Sequence, residues 1–156
     1  MRKKITLILV SLVAGLFLAQ AVLGHHSFSQ FDRNVQRIVT GTVTTWAFNN
    51  PHVWIHVDEV AEDGSITQWS FEGAGLVPLL KKGIDGNTFK PGDQVVVMYC
   101  PLRDGRPGGA IGWIIREDEP MINPNDGGCW VTDEMKTQWM EWLEQGFTSN
   151  LEAEAG

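Results

Sequence analysis

Basic side chains are scarce in this sequence, which has 12 lysines and arginines against 19 aspartates and glutamates and a formal net charge of −7. A chain this acidic is repelled by phosphate backbones and by anionic membrane surfaces, which argues against nucleic acid as a partner. The sequence also lacks a P-loop, a dinucleotide-binding glycine pattern, a CxxC pair and a G-x-S-x-G nucleophile motif. An enzyme acting alone is therefore the least favoured class.

The amino end concentrates positive charge ahead of an apolar run. Arg2, Lys3 and Lys4 precede residues 5–18, which are almost all apolar, and small residues follow. This order is typical of a secretory signal peptide, whereas a transmembrane helix needs about 20 apolar residues. We expect residues 1–24 to be a signal peptide and the mature protein to be periplasmic or secreted, with no transmembrane segment. An uncleaved anchor is the alternative.

Two cleavage sites fit the small-residue pattern at the end of this peptide. Cleavage after Gly24 makes His25 the first residue, and cleavage after Ala21 leaves three residues ahead of it. Removal of residues 1–24 takes three basic residues and no acidic one, so nine basic and 19 acidic residues remain, a net charge of −10. The remaining chain is long enough for one domain with a hydrophobic core.

Cysteine is nearly absent, with Cys100 and Cys129 as the two examples. An even count in an oxidising compartment permits one disulfide, and two unpaired thiols are the alternative. A bond between them would tie the carboxyl-terminal tail to the rest of the domain.

Turn signals divide residues 25–118 into five strand-like segments, with one or two helical turns within residues 73–83. The segments cover residues 38–48, 52–59, 66–72, 94–100 and 110–117. In the second, three apolar residues alternate with two histidines and a tryptophan, as in a half-buried strand. The order predicts an all-β, OB-like five-stranded barrel with a short helix between strands 3 and 4. A plain five-stranded sandwich is the alternative.

The tail, residues 119–156, contains one amphipathic segment. Thr132 or Asp133 can cap a helix over about 133–145, and Gly146 can end it. Its apolar stripe consists of Met135, Trp139, Trp142 and Leu143. The stripe predicts either a helix docked on the barrel or a contact surface for a protein partner through Met135, Trp139 and Trp142.

The four histidines occur as two close pairs, His25 with His26 and His52 with His56. Imidazole is a preferred ligand of zinc, copper and nickel, so any metal site belongs here. On one strand, His52 and His56 have α-carbons roughly 13 Å apart, too far for one ion. We therefore expect His52, beside the turn at the barrel mouth, to combine with His25 or His26.

A first-residue His25 would add its own α-amino group to the site. The amine and the ring nitrogen of His25 can chelate one ion, and a second imidazole completes the set known as a histidine brace. Such a nitrogen set suits Cu(II). The alternative is that His25 and His26 are solvated terminal residues and that His52 caps its turn.

OB-type barrels bind ligands on the face of strands 2 and 3, between the loops joining strands 1–2 and 4–5. Trp54 and Glu72 can face this mouth, and Arg103 and Arg106 in the 4–5 loop can hold an anionic ligand. The alternative is that the two arginines are solvated loop charges.

Short motifs occur in order along residues 25–117. They are His25-His26-Ser27-Phe28, Phe31-Asp32, Gly41-Thr42-Val43, Asn50-Pro51-His52-Val53-Trp54-Ile55, Trp69-Ser70-Phe71-Glu72-Gly73, Lys90-Pro91-Gly92-Asp93, Pro101-Leu102-Arg103-Asp104-Gly105 and Pro107-Gly108-Gly109. This set resembles a family of small exported bacterial proteins classed as a domain of unknown function. The resemblance implies that His25 directly follows the signal peptide and favours His52 over His56, but it implies no activity.

Together these patterns predict an exported metal-binding module, most plausibly for copper, that carries or delivers the ion. One alternative is a metal-free module that binds a small ligand, a glycan or a protein segment at the barrel mouth. Another is an accessory subunit of an exported oxidoreductase, docked through the tail stripe.

Overall fold

The computed structural model describes residues 27–117, 119–125 and 127–155. The predicted signal peptide, His25 and His26 lie outside the described residues. Two compact units are distinguished, residues 1–30 and 31–156. The described part of the first is a short 3-10 helix, Ser27–Gln30.

Five strands form a closed barrel. They are β1 (Arg37–Ala47), β2 (Trp54–Val60), β3 (Ile66–Glu72), β4 (Gln94–Pro101) and β5 (Gly108–Arg116), with helix α1 (Leu76–Lys81) between β3 and β4. The strand order around the barrel is β1-β2-β3-β5-β4. β3 and β5 are parallel, and the other neighbours are antiparallel. The predicted small all-β barrel is confirmed, and the alternative of a plain five-stranded sandwich is not formed.

The inward faces of the strands supply the barrel core. Val53, Ile55 and Val57 have no exposed surface, whereas the histidines and the tryptophan that alternate with them are half-buried. The same alternation brings Val43 and Phe71 into the core. Burial of each such side chain contributes about 1.5–3 kcal/mol, so the core fixes which face of β2 points outward.

Two strands begin two residues away from the predicted position. β2 begins at Trp54 instead of residue 52, so His52 lies in the loop just before the strand. β5 begins at Gly108, two residues earlier than predicted, because Gly108 pairs with β3 and Gly109 pairs with both β3 and β4. A side chain on Gly109 would collide with the carbonyl group of Cys100. Glycine is therefore required at this close approach, although the sequence pattern assigned Gly109 to the loop before β5.

Helix α2 (Asp133–Gln145) has the predicted bounds and ends at Gly146, which adopts the left-handed conformation with φ of 78°. Trp139 and Trp142 are 2% and 6% exposed and pack against Ile38, Met98 and Trp113 of the barrel. Met135 and Leu143 are partly buried in the same cluster. The docked helix, one of the two alternatives that the sequence offered for the stripe of Met135, Trp139 and Trp142, is therefore the arrangement in this structure.

A second tail helix, α3 (Asn150–Ala155), was not predicted. Six residues are too few to show a helical apolar period. Asn150 holds this helix in place, since its side chain accepts a hydrogen bond from Gln36 N at 2.9 Å and donates one to Asn34 O at 3.3 Å. Within the described residues, no helix is long and apolar enough to cross a membrane.

A disulfide joins Cys100 of β4 to Cys129 of the tail, with α-carbons 5.2 Å apart and both residues fully buried. The pairing that the sequence permitted is thus formed. Backbone hydrogen bonds reinforce it: Ala74 N donates to Pro124 O at 2.8 Å, and Ile114 and Ile122 exchange two bonds of 2.9 and 2.8 Å. The tail is an integral layer on the barrel.

Removal of the disulfide should lower the free energy of unfolding. For the Cys100→Ser/Cys129→Ser variant we expect a loss of about 3–4 kcal/mol, because the cross-link closes a loop of 29 residues in the unfolded chain. Urea denaturation measures the change, and reduction of the unmodified protein should reproduce it. Two titratable thiols in the oxidised native protein would contradict the pairing.

Docking of α2 predicts a sharp contrast between adjacent helix positions. Trp139→Ala should lower the free energy of unfolding by about 3–5 kcal/mol, since it empties a packed site. Met140→Ala is the matched control, because Met140 is 41% exposed on the same helix and should change stability by less than about 0.5 kcal/mol. Urea denaturation that gives equal effects for both variants would show that α2 does not dock this way in solution.

Candidate functional site

The outer face of β2 and β3 carries the polar and aromatic side chains that the sequence singled out. Antiparallel pairing places Trp54 opposite Glu72 and His56 opposite Ser70. All four residues are half-buried, as is His52 just before β2. Their position follows from the register of the hairpin, because the residues between them are committed to the core.

His52 and Glu72 form the central pair of this face. His52 Nδ1 contacts Glu72 Oε1 within hydrogen-bond distance, and their side chains are 28% and 11% exposed. His52 reaches the carboxylate because Val53 continues the pairing of β2: Val53 N donates to Ala74 O at 3.0 Å, and Gly73 N donates to Val53 O at 2.9 Å. The sequence suggested that Glu72 faces the same mouth as His52, and the structure brings the two together.

This contact selects the tautomer of His52. An ionised carboxylate accepts hydrogen bonds but cannot donate them, so the Nδ1 of a neutral imidazole must carry the proton. The lone pair then resides on Nε2, which can act as a base or as a metal ligand. Glu72 therefore orients the ring and directs its other nitrogen away from the carboxylate.

His56 belongs to a separate pair on the same face. Its Nδ1 and the hydroxyl group of Ser70 are 2.9 Å apart, and Thr44 Oγ1 donates to the His56 carbonyl group at 3.2 Å. His56 thus has a different β3 partner from His52. The role of Ser70 was missed, although pairing the predicted strands across their turn would have placed it opposite His56.

The two loop arginines already face carboxylates. Arg103 lies 3.4 Å from Asp32, and Arg106 lies 2.8 Å from Asp104 in its own loop. Hydrogen bonds from Arg106 hold the pKa of Asp104 below its usual value. Arg103 and Arg106 are 55% and 71% exposed, as is typical of solvated loop charges. Of the predicted ligand-binding residues, Trp54 and Glu72 lie on the outer face of β2 and β3, and both are half-buried.

Within the described residues, no group of three or more histidine, cysteine, aspartate or glutamate side chains could hold a metal ion. The face supplies two imidazoles, His52 beside Glu72 and His56 beside Ser70. The two other predicted ligands, His25 and His26, lie outside the described residues.

Fold and face together define a small five-stranded barrel with a histidine–carboxylate pair on its outer β2–β3 surface. Residues 14–111 match the sequence model of a family of unknown function, DUF6152. The match spans more than half of the chain, and the chain belongs to this family. No curated protein and no solved structure matches the chain significantly.

Proposed function

We propose that this protein is an exported copper-binding module that carries or delivers the ion outside the cytoplasm. The proposed ligands are the amine and ring nitrogen of His25 as first residue of the mature chain, completed by His52, with His26 as the alternative third ligand. The observation that carries the proposal is the contact between His52 and Glu72.

A carboxylate behind an imidazole is a recurring arrangement at metal sites. The carboxylate accepts the hydrogen bond from one ring nitrogen, fixes the tautomer and leaves the other nitrogen for the ion. Glu72 is well placed for this role, since its side chain is 11% exposed and retains little access to water. A histidine that merely capped a turn would need no such buried carboxylate.

The choice of copper follows from the kind of ligand. Two imidazoles and an amine form a nitrogen set that suits the tetragonal preference of Cu(II). Metal binding deprotonates an α-amino group at neutral pH, because its ordinary pKa is near 8. The negative charge of the mature chain also attracts cations. Carriage is favoured over turnover because no catalytic motif accompanies the site.

Copper titration of the mature protein, followed by electron paramagnetic resonance, tests the proposal. We expect one Cu(II) bound to nitrogen ligands. His52→Ala should weaken binding sharply, and one extra residue ahead of His25 should do the same, because the extension removes the amine from the chelate. Retention of full affinity by both variants would overturn the proposed ligand set.

Two further variants separate the role of the carboxylate from that of the face as a whole. Glu72→Gln should lower the copper affinity about 10- to 100-fold, as is usual when a hydrogen-bond partner of a ligand is changed. His56→Ala is the matched control, since it removes an imidazole paired with Ser70 on the same face and should leave affinity unchanged. Native mass spectrometry of the exported protein that detects an organic ligand and no metal would favour the metal-free alternative.

A further inference from the structure

A pocket of about 300 Å³ lies at the end of the barrel where β1 begins and β2 ends. Its lining includes Arg37 of β1, Glu59 of β2, Trp69 of β3 and Tyr99 of β4. None of these residues belongs to the His52–Glu72 face. The volume is at the lower end of the range of small-molecule sites.

The charged residues of this pocket occupy positions that the strand period assigns to the core. Arg37 is two residues before the buried Val39, and Glu59 is two residues after the buried Val57, so both are in phase with the inward-facing residues of their strands. Arg37 is exposed at the start of β1, whereas Glu59 is half-buried near the end of β2. No ion pair joins the two side chains in the part of the chain that the structure describes. The barrel is therefore polar at this end.

Aromatic rings form the inner surface of the pocket. The rings of Trp69 and Tyr99 have centroids 5.5 Å apart, and Phe71 packs against both at 5.9 and 4.8 Å. Glu59 is fixed beside them, because Trp69 Nε1 donates to Glu59 Oε2 at 2.9 Å. The pocket therefore presents a carboxylate at the edge of a packed aromatic cluster.

The pocket is open because β3 is only partly paired with β5. That pairing covers Ser70–Glu72, so Trp69 lies just outside it. The tail supplies the opposite wall: Ile38 N donates to Thr148 O at 2.8 Å, and Arg37 pairs with Ser149. Glu152 of α3 lies at this rim and accepts hydrogen bonds from Thr148 N and Oγ1 at 2.8 and 2.9 Å.

The charges around the rim favour a cationic ligand. Arg37 interacts with the phenol of Tyr99 and with Glu152, so its positive charge already has one carboxylate as a neighbour. Burial raises the pKa of Tyr99 to about 12, and its phenol is neutral at physiological pH. Glu59, in contrast, accepts its hydrogen bond from an uncharged indole. With one arginine and two glutamates, the lining has a formal charge of −1.

We propose that this pocket binds a small organic cation, with its ammonium group beside Glu59 and its apolar body against Trp69. Indole faces attract cations, and an ionised carboxylate strengthens the hydrogen bond from an ammonium group. The carboxylate has lone pairs besides the one used by Trp69. This proposal is independent of copper binding, because the two sites share no residue.

Isothermal titration calorimetry of the full mature protein with phenethylammonium tests this site. The comparison ligand is 3-phenylpropionate, which keeps the ring and linker but reverses the charge. We expect the amine to bind at least tenfold more tightly than the carboxylate. Glu59→Gln should weaken amine binding about tenfold, whereas Glu59→Asp, which keeps the charge, should retain more of it.

Glu62→Gln is the matched control, since Glu62 lies exposed in the β2–β3 turn and should leave amine binding unchanged. Circular dichroism verifies that each variant is folded. Equal binding of the two probes, an unaffected Glu59→Gln variant or no binding at millimolar amine would overturn the proposal. Tighter binding of phenylalanine than of phenethylammonium would also overturn it, because the ligand class would then be a zwitterion that uses Arg37.

Discussion

The antiparallel register between β2 and β3 is the constraint on which the rest of the molecule depends. It pairs Ile55 with Phe71 inside the barrel and Trp54 with Glu72 outside it. A slip of one residue would expose the apolar side chains of β2 to water and bury the histidines in the core. Because the buried residues exclude that slip, the same contacts that stabilise the barrel also bring His52 to Glu72.

Much of this could be predicted from the sequence, because the signals are local. Alternation over residues 52–59 is enough to assign the faces of β2, and the turn signal before His52 is enough to place it near the barrel mouth, although the pattern assigned His52 itself to the strand. The His52–Glu72 contact needed more, since it depends on register across a hairpin with a turn of several residues. The predicted start of β5 was two residues late at Gly108 and Gly109, because glycine is typical both of loops and of closely packed strands.

The tail shows where sequence patterns stop being informative. The apolar stripe of α2 predicts a buried face but does not say which surface buries it, and the barrel provides that surface through Ile38, Met98 and Trp113. The contact of Thr148 with Ile38 joins residues 110 positions apart, and no local pattern indicates it. The Cys100–Cys129 bond, made possible by an even cysteine count, anchors the start of this layer.

The two ends of β2 illustrate why departures from pattern carry functional information. A barrel end that needed only to be closed would be filled by apolar residues, which lose little on burial. Glu59 instead lies half-buried at this end, bonded to the indole of Trp69, beside aromatic rings that could have been packed by leucine or valine. Sequences that fold well usually satisfy local rules, and real proteins break them mostly at functional sites. The carboxylate of Glu59 is such a break, and it is separate from the outward histidines, whose polarity the strand period already explains.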